Sequence, residues 1–267
     1  MTILHLNGID MYYENAGQGE PLLLIHGLGS SARNWEGQVR YFAKKYRVVT
    51  YDLRGHGRSS KPPGPYSMRT FAEDTAALLA ALEAAPAHVV GISMGGMIAF
   101  ELAVCYPDLL KSLVIVNSVP DMRVTSPREY LEMWPRFLIL KALGVRRMGM
   151  ALGKRLFPKT EQEEQRRIFA ERWAQNDKRA YETALRAVLG WSVEAHLGEI
   201  RCPVLVIAAD KDYWPLDVKQ AYVKKMPDAR LAVIADARHA VAAEKPDEFN
   251  RILDEFLASQ SRSAEKR

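Results

Sequence analysis

Short apolar runs alternate with amphipathic stretches along most of the 267-residue chain. The apolar runs predict strands at Pro21–Ile25, Val48–Tyr51, His88–Val90, Leu113–Val116, Val204–Ile207 and Leu231–Ile234. Hydrophobic positions with helical spacing predict helices at Thr70–Glu83, Met97–Tyr106, Leu216–Lys225 and Pro246–Ala258. Strands that are apolar on both faces belong inside a parallel sheet covered by helices, so the alternation predicts an α/β fold with right-handed crossovers.

Two shorter strands are predicted at the start of the chain. Ile3–Leu6 and Ile9–Tyr13 flank the dipeptide Asn7-Gly8. Asn-Gly suits a two-residue type I′ turn, in which both residues need a positive φ. The pattern therefore predicts a β-hairpin at the N-terminus.

One long segment, 120–197, contains no convincing strand. It holds amphipathic stretches such as Tyr130–Ala142 and Glu161–Ala174, and the strand–helix alternation resumes at Cys202-Pro203. This pattern indicates a helical insertion between two strands of one sheet. We therefore expect four segments: a first part of the core at 1–119, the insertion at 120–197, a second part of the core at 198–258 and a flexible tail at 259–267.

Composition and charge narrow the class of protein. The chain is 48% hydrophobic and 26% charged, and its formal charge of +5 is scattered rather than clustered, which argues against nucleic-acid binding. We see no signal peptide and no apolar run long enough to span a membrane, and therefore expect a cytoplasmic location. Cys105 and Cys202 lie far apart in apolar contexts, which favours two reduced thiols over a disulfide.

A single serine lies on a tight turn between a predicted strand and a predicted helix. The turn is Gly91-Ile92-Ser93-Met94-Gly95, at the carboxyl end of the strand, where ligands bind in open α/β sheets. The flanking glycines leave room for a sharp corner, and the helix N-terminus favours negative charge nearby. The pattern predicts Ser93 as a nucleophile.

A serine nucleophile needs a base, and the chain offers six histidines. They are His5, His26, His56, His88, His196 and His239. His26 and His56 lie beside glycines at strand ends and could reach the site, whereas a structural role is the default for the other early histidines. His239 follows the strand Leu231–Ile234 and comes last in the chain, as the order serine, acid, histidine requires. We predict His239 as the base.

The base needs an acid to orient it, and the strand at Val204 ends in two candidates. Asp212, further into the loop, is better placed to reach a histidine on the neighbouring strand. Asp210 is the alternative acid, although it could instead brace the turn, and Asp121 is a distant third candidate. An oxyanion also needs donors: the Met94 N–H follows the nucleophile, and the Leu28 N–H follows the His26-Gly27 turn.

These motifs together resemble the α/β-hydrolase superfamily, over residues from about Ile3 to Leu257. The matching stretches are His26–Gly29, Asp52–Ser59, Gly91–Gly96, the strand ending in Asp212, and His239 before Glu244-Lys245-Pro246. The resemblance implies a mostly parallel sheet flanked by helices, with the insertion as a helical cap over the active site. It also implies a Ser93–Asp212–His239 triad, an oxyanion hole at Leu28 and Met94, and a bracing role for Asp52–Ser59 that makes His56 structural.

Within that superfamily the chain resembles carboxylesterases and enol-lactonase-like serine hydrolases, so we expect a serine esterase that uses an acyl-enzyme. The alternatives are an enol-lactone or carbon–carbon bond hydrolase, a perhydrolase or haloperoxidase-like enzyme, and a ligand-sensing regulatory protein that retains the triad. Asp replaces Ser93 in haloalkane dehalogenases and many epoxide hydrolases, which disfavours both. Because the base must be neutral, we expect activity to rise with pH through roughly 6 to 7.5.

The expected partner is a small-molecule ester with a small to medium apolar acyl group. Aromatic and aliphatic side chains that could line its pocket are Trp134, Phe137, Leu138, Trp191 and Trp214. We expect no metal and no organic cofactor, because the Cys and His spacings show no zinc pattern. We further expect no nucleic-acid partner, no membrane span, and a monomer or homodimer.

Overall fold

The computed structural model describes residues 2–123, 142 and 144–264. In these residues, one sheet contains the strands β1 (Thr2–Leu6), β2 (Ile9–Ala16), β3 (Pro21–Ile25), β4 (Arg47–Tyr51), β5 (Ala87–Ile92), β6 (Leu110–Val116), β7 (Val204–Ala209) and β8 (Ala229–Ile234). The described helices are α1 (Glu36–Phe42), α2 (Met68–Ala81), α3 (Met94–Cys105), α4 (144–156), α5 (Glu163–Trp173), α6 (Lys178–Val188), α7 (Leu216–Val223), α8 (Val241–Glu244) and α9 (Pro246–Ala264).

The sheet order is β1-β2-β4-β3-β5-β6-β7-β8, and every pair from β4 to β8 is parallel. Strand β2 runs antiparallel to both of its neighbours. Between β1 and β2, Asn7 and Gly8 have φ of 48° and 73°, so the predicted type I′ hairpin is confirmed. The α/β architecture expected from the alternation of strands and helices is also confirmed.

Helices cover both faces of the sheet. Successive residues of a strand point to opposite faces, so each strand contributes side chains to both layers of the core. In β3, Leu23 and Ile25 pack into the apolar cluster that holds α2 and α3, and Leu22 and Leu24 pack into the cluster that holds α1 and α9. All four side chains are fully buried. This two-sided burial explains why the parallel strands are apolar at almost every position.

The insertion leaves and rejoins the sheet through a short antiparallel bridge. Asp121 pairs with Ser192, and the Met122 N–H donates to the Trp191 carbonyl at 2.8 Å. Its described part contains the helices α4, α5 and α6, whereas almost all of the predicted helix Tyr130–Ala142 lies outside the described residues. The insertion therefore starts and ends at one point beside β6 and β7.

Two expectations about local structure were incomplete or wrong. Helix α9 continues to Ala264, so 259–264 is not the flexible tail expected there, and Ser261 Oγ donates to Glu20 at 3.0 Å. The sequence patterns also missed α1 and the one-turn helix α8. No helix among the described residues is long and apolar enough to cross a membrane.

Candidate active site

Ser93 occupies a strained corner between β5 and α3. Its φ and ψ are 56° and −123°, a conformation that side chains rarely adopt outside functional turns. The corner needs glycine on both sides: a Cβ on Gly91 would lie 2.2 Å from the Gly95 carbonyl oxygen, and a Cβ on Gly95 would lie 2.3 Å from the Ile25 carbonyl oxygen. The Ser93 carbonyl accepts a 2.7 Å hydrogen bond from Ser118 Oγ, which anchors the turn.

His239 and Asp212 follow neighbouring strands, β8 and β7, and their side chains meet beyond the carboxyl ends of the sheet. His239 Nδ1 lies 2.6 Å from Asp212 Oδ1. The His239 side chain is 13% exposed, whereas the Asp212 side chain is completely buried. In the described part of the chain no hydrogen bond joins the Ser93 hydroxyl to the His239 ring, but both side chains line the same cavity. Catalytic hydrogen bonds are often long before substrate binds.

A buried lysine contacts the other oxygen of the same carboxylate. Lys219 Nζ donates to Asp212 Oδ2 at 2.5 Å, and neither side chain is exposed. Burial acts to raise the pKa of Asp212, but its hydrogen bonds and charge interactions with His239 and Lys219 outweigh burial and hold that pKa below its usual value. Burial lowers the pKa of Lys219, and the Asp212 charge opposes that change.

Asn117 joins the loops that carry these groups. It follows β6 with φ of 41°, and its Nδ2 donates to the backbone carbonyls of Arg238 and His239 at 3.1 and 3.0 Å. Its Oδ1 accepts from the Ala209 N–H at 2.8 Å and from Lys219 Nζ at 3.3 Å. Sequence reasoning missed Asn117, although a polar residue directly after an apolar strand is a detectable signal.

The structure also places the two alternative acids. Asp210 Oδ1 accepts from the Ala237 N–H at 3.1 Å and thus braces the turn. Asp121 pairs with Arg123 at 2.6 Å, at the base of the insertion. Of the three acids weighed from the sequence, Asp212 is therefore the one that contacts the His239 ring.

Two backbone N–H groups are available where the oxyanion donors are expected. Met94 is the first residue of α3, and Leu28 follows Gly27, where a Cβ would lie 3.2 Å from Ser93 Cβ. Neither the Met94 N–H nor the Leu28 N–H has a hydrogen-bond partner among the described residues. Both donors are therefore free to bind an oxygen beside Ser93.

The segment Asp52–Ser59 packs against the loop that carries Leu28. His26 Nε2 accepts from the Leu53 N–H at 3.0 Å, and Asp52 accepts from the Ala32 N–H at 2.8 Å. His56 is buried, and burial lowers its pKa to about 3. Its Nδ1 lies 3.0 Å from the Arg54 carbonyl oxygen, which places His56 in the support of the loop rather than beside Ser93.

The cavity above Ser93 has a volume of about 370 Å³. Its wall is mainly apolar and includes Leu28, Ile92, Met148, Leu152, Leu156, Phe169, Trp173, Tyr181 and Tyr213. Arg155 also lines it, with its guanidinium 4.7 Å from the centre of the Tyr213 ring. Tyr213 in turn stacks on His239, with ring centres 4.3 Å apart.

The pocket predictions made from aromatic residues need correction. Trp191 does not line this cavity, because its indole N–H donates to Glu101 at 2.8 Å and its ring packs against the core. Trp214 lies 5.8 Å from the His239 ring, between ring centres, but packs on the core rather than on the cavity wall. Trp134, Phe137 and Leu138 lie outside the described residues. Tyr213, Phe169 and Trp173 were missed, since the sequence does not show which face of a helix or loop turns inward.

Comparison with known proteins shows which family the chain belongs to. A family model described as alpha/beta hydrolase fold matches residues 20–246. The chain is 33% identical over 259 residues to the RutD protein of Azorhizobium caulinodans, whose name proposes a carbamate hydrolase activity, covering 95% of this chain and 97% of the relative. It is 29% identical over 271 residues to (E)-2-((N-methylformamido)methylene)succinate hydrolase of Acinetobacter baylyi, covering 96% and 97%. The crystal structure of the enol-lactonase from Burkholderia xenovorans LB400 superimposes with a TM-score of 0.87 at 26% identity, covering 96% of this chain and 100% of that one.

Proposed function

The chain belongs to the alpha/beta-hydrolase family and is a hydrolase of that fold, and from this premise we propose that it cleaves carboxylic esters through an acyl-enzyme on Ser93. One observation carries the proposal: a serine on a strained strand–helix corner shares a cavity with a histidine held by a buried carboxylate. Nucleophile, base and orienting acid are the three groups that acyl transfer by serine requires.

In the proposed reaction, Ser93 Oγ attacks the ester carbonyl while His239 Nε2 accepts its proton. Asp212 holds the ring through Nδ1 and stabilises the imidazolium that forms. His239 then returns the proton to the leaving alcohol, which leaves an ester between the acyl group and Ser93. Water, activated by the same ring, hydrolyses that ester and restores the free enzyme.

The charge on the tetrahedral intermediate would be stabilised by the Met94 and Leu28 N–H groups. Each such donor contributes about 3 kcal/mol to transition-state stabilisation in serine hydrolases. Met94 is the first residue of α3, so the positive end of the helix dipole adds to the stabilisation there. The absence of competing acceptors among the described residues supports this role, because these donors need not break a hydrogen bond to serve it.

A hydrolysis assay with one matched control tests the proposal. We expect the wild-type protein to hydrolyse 4-nitrophenyl acetate and butyrate, and Ser93→Ala to lower kcat by about 1,000-fold or more. Ser31→Ala is the control, since it removes a hydroxyl that makes no cap hydrogen bond and does not line the cavity, and we expect activity within about twofold of wild type. Equal activity of wild type and Ser93→Ala would refute the proposal.

A second candidate is hydrolysis of a carbamate or a lactone by the same groups. Supporting it are the relative named as a carbamate hydrolase and the similar structure of an enol-lactonase. The first steps are unchanged, because each of these substrates presents a carbonyl to Ser93. Measuring kcat/KM for a matched ester, lactone and carbamate separates the two candidates: a clear preference for either of the latter would replace the ester as substrate class.

A further inference from the structure

Lys219 is a fully buried cation that the proposed acyl-transfer steps do not use. It lies on α7, and its Nζ contacts Asp212 Oδ2 at 2.5 Å and Asn117 Oδ1 at 3.3 Å. Burying an ammonium is costly unless it is paired, and hydrophobic pairs of similar volume are often at least as stable. Stability alone therefore gives little reason to place a charge here, next to the residue that holds His239.

We propose that Lys219 is a positioning residue that makes the His239–Asp212 pair less basic, so that the pair stays unprotonated at more acidic pH. The inference rests on the proposed function, in which His239 acts as the base. It concerns the pair as a unit, because interacting groups titrate together.

Two physical effects support this role. First, the ammonium neutralises much of the Asp212 charge, so a proton gained by the ring is stabilised less than it would be beside an unpaired carboxylate. Second, Lys219 occupies Oδ2, which leaves Oδ1 to face His239 Nδ1 and fixes the rotation of the carboxylate. The Asn117 side chain holds both the lysine and the backbone of His239, so the geometry is supported from β6 as well.

Other ionisable groups surround the pair but do not contact the Asp212 carboxylate in the described residues. Arg155 lies over the Tyr213 ring, and the Tyr213 ring stacks on the His239 ring. Arg238 pairs with Glu244, Lys211 pairs with Asp236, and Asp210 binds the Ala237 N–H. Tyr222 is buried on α7, where its hydroxyl donates to the Ser118 carbonyl, and burial raises its pKa so that it stays neutral. Lys219 is thus the cation in direct contact with the acid.

The test compares charge with shape at position 219. Lys219→Met and Lys219→Gln remove the cation, Lys219→Arg keeps it, and Lys224→Gln removes an exposed lysine near the same helix as a control. For each variant, kcat/KM for 4-nitrophenyl acetate is measured from pH 4.5 to 9. The His239 ring is titrated in parallel by NMR, which needs no activity.

We expect the neutral variants to move the acid limb of the profile and the ring titration upward by about one pH unit. At the foot of the limb this lowers kcat/KM about tenfold, whereas Lys219→Arg and Lys224→Gln keep the wild-type limb. An unchanged ring titration in folded neutral variants overturns the inference, as does a shifted limb in Lys219→Arg if the neutral variants do not fold. A wild type that hydrolyses no ester defeats the proposed function alone, since the ring titration still reports on Lys219.

Discussion

His239 Nδ1 lies 2.6 Å from Asp212 Oδ1, although 27 positions separate the two residues in the chain. The contact forms because parallel strands β7 and β8 end at the same edge of the sheet, so the loops after them meet. With Lys219 on the other carboxylate oxygen, Asp212 serves both the ring and a buried cation.

Asp212→Asn should therefore reduce both activity and stability. We expect kcat to fall by about 10⁴, because the amide no longer favours the tautomer that accepts a proton from Ser93. We also expect the free energy of unfolding to fall by about 3 to 5 kcal/mol, because Lys219 is left buried without its counter-ion. Ester hydrolysis and urea unfolding measure the two effects. A variant as stable as wild type would contradict the claim that buried Lys219 depends on Asp212 as its counter-ion.

Gly95→Ala should distort the corner that presents Ser93. An added Cβ would meet the carbonyl oxygens of Ile25 and His26 at 2.3 and 2.6 Å, and backbone cannot yield cheaply. We expect loss of most ester hydrolysis and a fall in unfolding free energy of about 1 to 3 kcal/mol. Gly37→Ala, in α1 with open space at its Cβ, is the control and should raise stability by about 0.5 to 1 kcal/mol. Similar behaviour of both variants would exclude the close approach as the reason for Gly95.

Glu20 lies at the end of the sheet opposite to Ser93 and should make the free energy of unfolding depend on pH. Burial acts to raise its pKa, but hydrogen bonds with Lys111, His88 and Ser261 lower the pKa to about 2. Ionised Glu20 is therefore favoured by folding, and its stabilisation is present above about pH 4.5 and is lost as pH falls toward 2.

Glu20→Gln should accordingly be less stable than wild type at pH 7, with a difference that shrinks between pH 4.5 and 2. Urea unfolding at pH 7, 5 and 3 measures this trend. Glu255→Gln, which removes an exposed pair with Arg251, should change stability by less than about 0.5 kcal/mol at each pH. A Glu20 effect that stays constant with pH would argue against the ionised contact.

Leu152 should limit the length of the acyl group. It lines the cavity of about 370 Å³ that contains Ser93. Leu152→Phe fills part of this space, so we expect kcat/KM for 4-nitrophenyl octanoate to fall about tenfold while the acetate value stays within about twofold. Val233→Phe, at an exposed position of β8, should alter neither value. Equal losses for both esters would show that Leu152 does not contact the acyl chain.

How much of this structure the sequence predicts depends on how far apart in the chain the interacting residues lie. Local patterns predicted the Asn7-Gly8 hairpin, the buried strands and the corner at Ser93, because spacing and turn chemistry act within a few residues. Chain order and strand position pointed to His239 and Asp212. Asn117 and Lys219 were missed, since their role arises only where α7 and the end of β6 meet the loop after β7.

The pocket shows the same limit. Trp191 was expected to line it from residue type and position in the insertion, but its indole N–H binds Glu101 instead. Trp173 and Phe169, on α5, face the cavity although their helix is mainly polar. Which side of a helix in the insertion turns toward Ser93 depends on how the insertion packs, and no short pattern in the sequence reports this.

The central claim is that His239 activates Ser93 as a nucleophile, and covalent trapping tests it most directly. A fluorophosphonate ester is incubated with wild type, Ser93→Ala and His239→Ala at pH 7.5, and the adduct is located by peptide mass spectrometry. We expect one stoichiometric adduct on Ser93 in wild type, none in Ser93→Ala, and labelling slowed by at least about 1,000-fold in His239→Ala. Rapid labelling of Ser93 without the imidazole, or a stoichiometric adduct on another residue in wild type, would contradict the account.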